Sequence, residues 1–162
     1  MYLIRGLHNL DFFKKSHPNL ILHGTIGNFD GLHKGHQAIL SKIKNKALKK
    51  NGSSIVFFTE PHASEYFAAN NNLQNEAPPR ICPWRKKFEL LRDFGIDFAF
   101  FLKFNNSLRK MNPEIFISDV LDSVGLASLT VGDDFRFGAN RAGDFDLLTK
   151  WGSKKGIEVM NT

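Results

Sequence analysis

Two histidines three residues apart, His33 and His36, are the side chains of this sequence best suited to chemistry. They end a ten-residue segment that reads Gly27-Asn28-Phe29-Asp30-Gly31-Leu32-His33-Lys34-Gly35-His36. Gly27 and Gly31 permit turns that a Cβ atom would resist. Gly35 costs a helix about 1 kcal/mol relative to alanine, which indicates that some group passes close to the backbone there.

Phosphate binding is the chemistry that fits this segment. No Ser, Thr or Asn directly precedes the helix predicted after it, so its first N–H groups are open to an anion, and two imidazoles add further donors. A zinc site would need companion ligands at a suitable spacing, and the sequence has none. Two alternatives remain: the histidines could only cap the helix or pack in the core, and Asp30 could be the helix cap. The segment is neither a Walker loop nor a GxGxxG fingerprint.

The elements that must position this segment alternate along the chain. Five apolar runs are typical of strands that are covered on both faces: Leu20–Ile26, Ile55–Thr59, Phe98–Leu102, Leu129–Val131 and Ile157–Met160. Helices are predicted at Gly35–Asn51, at Pro83–Phe94, at Pro113–Asp122, and from an N-cap at Asp144 to about Lys155. We therefore predict an α/β fold with a mainly parallel sheet of about five strands and helices on both faces, and ligands beyond the strand ends.

Composition limits the class of protein. The 162 residues carry a formal net charge of +6, which favours anionic partners. The single cysteine, Cys82, excludes a disulfide framework, and no stretch has the length of a membrane span, so we expect a cytoplasmic protein.

Lysines within Ser41–Lys50 have helical spacing, which favours a solvated face over a nucleic-acid patch. Pro61–Pro79 has too little apolar content for a core element and is predicted to be a mobile flap.

The HxGH signature at His33–His36 resembles that of the nucleotidyltransferase superfamily, and the longer segment is similar to the FMN adenylyltransferase module of bacterial bifunctional riboflavin kinase/FAD synthetase. Further segments agree in order and spacing with that family. They are Leu3-Ile4-Arg5-Gly6, Phe58-Thr59-Glu60-Pro61-His62, Ala77-Pro78-Pro79-Arg80, and Val131 to Gly138 followed by Arg141 and Gly143-Asp144. The resemblance covers essentially residues 1–162 and implies a Rossmann-like nucleotidyltransferase fold.

The resemblance implies the reaction of ATP with FMN to give FAD and pyrophosphate, with His33 and His36 as the catalytic residues. The implied nucleotide-binding residues are Gly27, Asn28, Phe29, Asp30, Gly31, Gly35, Asp134 and Arg136. The implied flavin-binding residues are Phe58, Glu60, Pro61, His62 and Arg80, with Phe57 or Phe58 as an aromatic wall. Phe135 and Phe137 flank Arg136, so one is expected to pack inward and the other to line the pocket. Mg²⁺ is expected on substrate phosphates rather than in a protein cage.

In this family a Ser-Ser-Thr-x-Ile/Val-Arg segment follows the strand that here ends near Met160, and a riboflavin kinase domain normally follows. We therefore expect residues 1–162 to be an adenylyltransferase domain shortened at its C-terminus, with the covalently linked kinase domain absent. Three alternatives stay open: another phosphate acceptor, such as phosphopantetheine, nicotinamide mononucleotide or phosphoglycerol; a nucleotide- or flavin-binding fragment without turnover; and a basic nucleic-acid-binding domain, which the sequence does not favour.

Overall fold

The computed structural model describes residues 1–70 and 82–162. Within them a six-stranded sheet runs in the order β1-β4-β3-β2-β5-β6, with every neighbouring pair parallel. The strands are β1 (Tyr2–Arg5), β2 (Leu22–Ile26), β3 (Ser53–Glu60), β4 (Phe98–Lys103), β5 (Leu126–Val131) and β6 (Glu158–Asn161). The predicted α/β class is confirmed, and the strand that the apolar runs missed is β1, which includes Leu3-Ile4-Arg5 of the first segment that agrees with the family.

Seven α-helices connect these strands in the described part of the chain. They are α1 (Leu10–Ser16), α2 (Lys34–Lys49), α3 (Ala63–Asn70), α4 (Trp84–Phe94), α5 (Asn106–Lys110), α6 (Pro113–Phe116) and α7 (Phe145–Lys155). A π-helical stretch, Ile117–Asp122, continues α6 directly. All four predicted helices are present, with bounds that differ by at most two residues when α6 and its continuation are taken together.

Stop and start residues explain where the predicted helices end. Helix α2 is followed by Asn51 in the left-handed region (φ 51°), and α4 by Gly95 (φ 88°), conformations that break the helical path. Helix α7 begins where the Asp144 carboxylate accepts a hydrogen bond from the Leu147 N–H at 2.9 Å. These are short-range signals, which is why the sequence alone located the helices.

The prediction of a mobile flap over Pro61–Pro79 did not include a helix, and the structure has α3 in the first half of that segment. Its alanines favour a helix. The one well-buried residue of α3 is Ala68, so the helix buries little apolar surface. The Tyr66 ring packs edge-on against Phe104, with 5.3 Å between ring centroids. The second half of the predicted flap, with Arg80, lies outside the described residues.

Two apolar clusters cover the two faces of the sheet. On one face α1, α6 and α7 pack on β1 to β6, and on the other α2 and α4 pack over the centre of the sheet. Adjacent residues of β3 serve opposite faces: Phe57 belongs to the first cluster and Phe58 to the second, both fully buried. The predicted covering of both faces is confirmed.

Three lysines of α2 bind groups on neighbouring elements. Lys44 donates to the Phe94 carbonyl and Lys42 to the Asn161 carbonyl, both at 2.8 Å, and Lys46 forms a 2.7 Å ion pair with Glu158. These lysines therefore fasten α2 to α4 and β6. In the described ranges no helix is both long enough and apolar enough to cross a membrane.

Candidate active site

Three of the predicted segments meet at one edge of the sheet. The segment 27–33 follows β2, the segment 61–62 follows β3, and the segment 132–138 follows β5. Strand β2 lies between β3 and β5, and all three run parallel, so their carboxyl ends share an edge. The connections after the neighbouring strands β2 and β5 pass over opposite faces of the sheet, through α2 and α7. Open α/β sheets bind ligands at such a point.

The turn after β2 is held in an unusual backbone conformation. Phe29, Gly31 and Leu32 all have positive φ angles, of 49°, 68° and 43°. Such a conformation is costly for residues with a Cβ, and it persists where surrounding structure fixes it. Phe29 and Leu32 are buried, at 1% and 7% exposure. Burial of these two apolar side chains therefore fixes the loop, while Asn28 between the strand and the turn is exposed.

The start of α2 corrects one expectation. The helix tip is not bare, because His33 is its N-cap and the His33 Nδ1 atom accepts a hydrogen bond from the His36 N–H at 3.3 Å. The group that passes close to Gly35 is the same ring: a Cβ at Gly35 would lie 3.2 Å from His33. Because Nδ1 accepts, the ring proton of His33 is on Nε2, which leaves that atom as a donor.

His36 is stacked on His33, with 3.6 Å between ring centroids and 22° between planes, and its other neighbour is Phe29 at 5.0 Å. Its Nδ1 atom is buried and has no hydrogen-bond partner in the described part of the chain. Burial, and next the nearby His33, lowers the pKa of His36 to about 4, so the ring is neutral at pH 7. The structure thus places both predicted catalytic histidines together at the strand-to-helix junction.

Asp30 links this junction to α4. Its Oδ1 atom accepts hydrogen bonds from the Cys82 N–H at 3.0 Å and from the Cys82 Sγ at 3.4 Å. The cap of α2 is His33 rather than Asp30, so the alternative of an Asp30 cap is wrong. Within residues 1–70 and 82–162, no three His, Cys, Asp or Glu side chains are grouped so that they could hold a metal ion.

The segment after β5 turns at once and brings Arg136 beside α7. Arg136 forms an ion pair with Asp144 at 3.2 Å, in which both side chains are well exposed, and Asp134 is exposed nearby. The expectation that Phe135 and Phe137 face opposite ways is wrong. Their rings stack at 5.7 Å and 15°, because side chains two residues apart in an extended segment lie on the same side. Phe137 also pairs with Gly143 in a short antiparallel bridge.

The predicted flavin-side residues divide into buried and accessible ones. Phe58 is fully buried and Phe57 likewise, so neither ring offers a surface, and the expected aromatic wall is absent at both positions. Glu60 is buried in an ion pair with Lys87 at 2.9 Å, which excludes it as an open ligand contact in this conformation. Pro61 is exposed, and His62 is half-buried with Nδ1 at 2.6 Å from the Ser64 hydroxyl.

Sequence reasoning missed two groups at this edge. Lys87 was overlooked because it is one of three consecutive basic residues of α4, a pattern typical of an exposed surface. The available signal was its position one helical turn before the buried Leu91, on the same face of α4. The second group is aromatic: Tyr66 and Phe67 of α3 pack on Phe104, which follows β4, and the Arg109 guanidinium lies 5.3 Å from the Phe67 ring centroid. The adjacent pair Tyr66-Phe67 was the available signal.

Comparison with known families adds an independent observation. The sequence profile of the FAD synthetase family matches residues 15–162, which is nearly the whole chain. This protein belongs to the FAD synthetase family. The matched span includes all three site segments.

Relatives of known name agree with that membership. The chain is 39% identical over its full length to the bifunctional riboflavin kinase/FMN adenylyltransferase of Escherichia coli K12, covering 49% of it. It is 39% identical over 98% of its length to the enzyme of the same name from Pseudomonas fluorescens, covering 48% of that protein. The chain therefore spans about half the length of the curated relatives it matches.

One solved structure supports the fold alone. A structure described as a macrolide-efflux protein from Streptococcus pneumoniae superposes on the whole chain with a TM-score of 0.76 and 17% identity, over 50% of its own length. At that identity the similarity concerns the architecture, which confirms the arrangement of helices around the parallel sheet. The function follows from other observations.

Proposed function

We propose that this chain transfers the adenylyl group of ATP to FMN, giving FAD and pyrophosphate. The observation that carries the proposal is the stacked pair His33–His36 at the start of α2, in a chain of the FAD synthetase family. The pair lies beyond the end of β2, between the segments that follow β3 and β5. Substrate phosphates are expected at this point.

The chemistry needs no general base. A phosphate monoester has a second pKa of about 6, so the FMN phosphate is already a dianion at pH 7. One of its oxygens attacks the α-phosphorus of ATP, a new P–O bond forms, and the bond between the α-phosphorus and the bridging oxygen breaks with release of pyrophosphate. Catalysis then consists of positioning two anions and stabilising the charge on the phosphoryl oxygens.

The two histidines supply hydrogen bonds to those oxygens. His33 presents Nε2–H outward because its Nδ1 is occupied by the His36 N–H. His36 is neutral at pH 7 and is oriented by Phe29 on one side and His33 on the other. A stacked pair in fixed orientation is prearranged for the triphosphate, which is how such sites lower the barrier without reorganising during the reaction.

The segment after β5 completes the nucleotide side of the proposed site. Arg136 is exposed and its partner Asp144 is also exposed, so the guanidinium can exchange that surface ion pair for a phosphate at little energetic cost. We assign Asp134 to a ribose hydroxyl or the adenine amino group. Gly27, Asn28, Gly31 and Gly35 shape the loop around the nucleotide.

For the flavin we propose the accessible groups beyond β3 and β4. His62 is half-buried after β3, and the rings of Phe67 and Phe104 form an aromatic surface at the same edge. Phe67 is 39% exposed, so it can stack on an isoalloxazine ring, a role that buried Phe58 cannot take. Arg80, which the family resemblance assigns to flavin, stays a proposal outside the described residues.

Magnesium is proposed to arrive with ATP. It would neutralise charge on the phosphate oxygens, and the described residues offer no cluster that would hold it as a resident ion. We also propose that residues 1–162 form the adenylyltransferase unit and that riboflavin kinase, the second activity in the relatives' name, supplies the FMN, as a linked domain in those relatives.

Incubation of the purified chain with ATP, FMN and Mg²⁺ tests the function directly. We expect FAD and pyrophosphate in equal amounts, measured by chromatography and by a pyrophosphate assay. Phosphopantetheine, nicotinamide mononucleotide and glycerol phosphate serve as competing acceptors, and adenylylation of one of these in place of FMN would contradict the proposal. Binding of ATP and FMN by calorimetry without any FAD would show a binding fragment instead.

A further inference from the structure

The buried ion pair between Lys87 and Glu60 has no evident purpose in stability. The Lys87 Nζ atom lies 2.9 Å from Glu60 Oε1, and the two side chains are only 4% and 7% exposed. Removing two charges from water is expensive, and a well-packed apolar pair in such a place is often as stable or more so. A buried pair therefore calls for another role.

Its place in the fold indicates that role. Glu60 is the last residue of β3 and directly precedes Pro61 and His62 on the proposed flavin side. Lys87 is in the second turn of α4, with Nζ 5.3 Å from the centroid of the buried Phe58 ring. The pair thus fixes the end of β3 to α4, and the charge is held against an aromatic face that restricts where it can move.

The same helix is also fastened to the histidine loop. Cys82, two residues before α4 begins, donates its N–H to Asp30 at 3.0 Å. The Lys87 charge also contributes to lowering the pKa of His36, which places Lys87 within electrostatic reach of that ring. One helix start therefore contacts both segments that must hold the two substrates in line.

We propose that Lys87 is a positioning residue, through which α4 holds the end of β3 in a fixed place relative to the loop of His33 and His36. Lys87 does not touch the reacting atoms. It acts through Glu60, while Asp30 and Cys82 fasten the other side of the same helix start. The expected change in kinetics rests on the proposed function. The expected displacement of His36 and His62 rests on the geometry alone.

Four variants and a matched control separate positioning from stability. Lys87→Met removes the lysine partner of the buried Glu60 carboxylate and is expected to lower Tm by about 10 °C. The double variant Glu60→Gln/Lys87→Met removes both charges, and its Tm is expected to recover most of that decrease. Glu60→Gln alone removes the carboxylate partner of Lys87. Lys87→Arg keeps the positive charge. The control is Lys86→Met: Lys86 is exposed and pairs with Glu89 at 3.2 Å on the same helix.

Kinetics give the first readout. In the double variant, at a temperature where it is folded, we expect kcat/KM for FMN to fall roughly ten- to a hundredfold through misplacement, with a smaller change in KM for ATP. Lys87→Arg should recover part of the loss, and Lys86→Met should match the wild type. A double variant that is folded and fully active would overturn the proposal, because the pair would then be only structural.

A second readout does not need turnover. The ring signals of His36 and His62 in ¹H–¹³C spectra should both shift in the double variant and stay in place in Lys86→Met. If the wild-type chain makes no FAD, the proposed function fails and this readout still decides the positioning role. If both rings keep their wild-type signals in a folded double variant, positioning by Lys87 is refuted whatever the activity. Should the double variant not fold, Glu60→Gln, which removes the carboxylate partner of Lys87, is read in the same way.

Discussion

His36 combines a packing contact with an unused hydrogen-bonding atom, so its substitution separates ligand binding from stability. His36→Gln keeps a side chain against Phe29 and loses the imidazole. We expect FAD formation to fall by about a hundredfold, the cost of removing one fixed donor from a charged transition state, with Tm within a few degrees of the wild type. His8→Gln, at an exposed histidine, is the control. A normal rate of FAD synthesis in His36→Gln would refute the assignment.

The same residue predicts a pH dependence of stability. The pKa of His36 in the folded chain, about 4, is below its ordinary value of 6.5, so the unfolded chain takes up this proton first as the pH falls. The contribution to stability is full above pH 6.5 and is lost as the pH falls from 6.5 towards 4. Urea midpoints should decline more steeply over that window in the wild type than in His36→Gln, and equal slopes would contradict this.

The residues of the site were predictable where glycine and histidine spacing marks them, and less so where a contact joins distant parts of the chain. The His33–His36 pair follows from four consecutive positions. The Asp30–Cys82 bond joins residues 52 apart and Lys87–Glu60 joins residues 27 apart. No local pattern encodes such partners, because the fold brings them together.

At the scale of the element, Gly35 lowers the intrinsic stability of α2 and leaves room for the His33 ring at the start of that helix. Gly35→Ala should raise helix stability by up to about 1 kcal/mol. The added Cβ would lie 3.2 Å from the His33 ring and displace it from His36. We therefore expect FAD to form roughly tenfold more slowly, with the gain in helix propensity offset by the loss of the His33 cap.

A double variant checks the cause of that loss. Once His33→Ala has removed the ring, adding Gly35→Ala should change the activity no further, because no ring remains to be displaced. Rates and chemical-denaturation midpoints of the two single variants and the double variant provide the measurement. Additive losses of activity would contradict the explanation.

Asp144 caps α7 and also holds Arg136, and two substitutions distinguish these roles. Asn keeps a capping oxygen, so Asp144→Asn should lose only the ion pair, whereas Asp144→Ala should lower Tm by a few degrees more. The Leu147 N–H, and to a lesser extent Arg136, lowers the pKa of Asp144. The Tm difference between the wild type and Asp144→Asn should thus be full above pH 3.8 and vanish as the pH falls through the lowered value. Equal Tm values for Asn and Ala at pH 7 would contradict the cap.

Elements were predictable to the degree that they carry their own start and stop signals. Helices α4 and α7 have proline or aspartate before them and glycine after them, and both were located correctly. Helix α3 was missed because it depends on the contact of Tyr66 with Phe104, 38 positions further along the chain, and at eight residues it is too short to show a recognisable apolar stripe.

At the scale of the whole molecule, the net charge of +6 should assist capture of two anionic substrates. Raising NaCl from about 50 to about 500 mM shortens the screening length and should lower kcat/KM for ATP severalfold, with little change in kcat. An equal osmolality of sucrose is the control. A kcat/KM that does not change with salt would show that the charge serves another purpose.

Strands β2 and β3 lie at the middle of the sheet and are covered on both faces, and the strained turn at Phe29–Leu32 begins a few residues beyond them. Amide protons of these strands should exchange with solvent only when the entire molecule opens, whereas those of the turn need only a local opening. Protection of amide protons from exchange should therefore fall steeply between the end of β2 and the turn. A local opening of that short stretch of backbone therefore leaves the sheet beneath it closed.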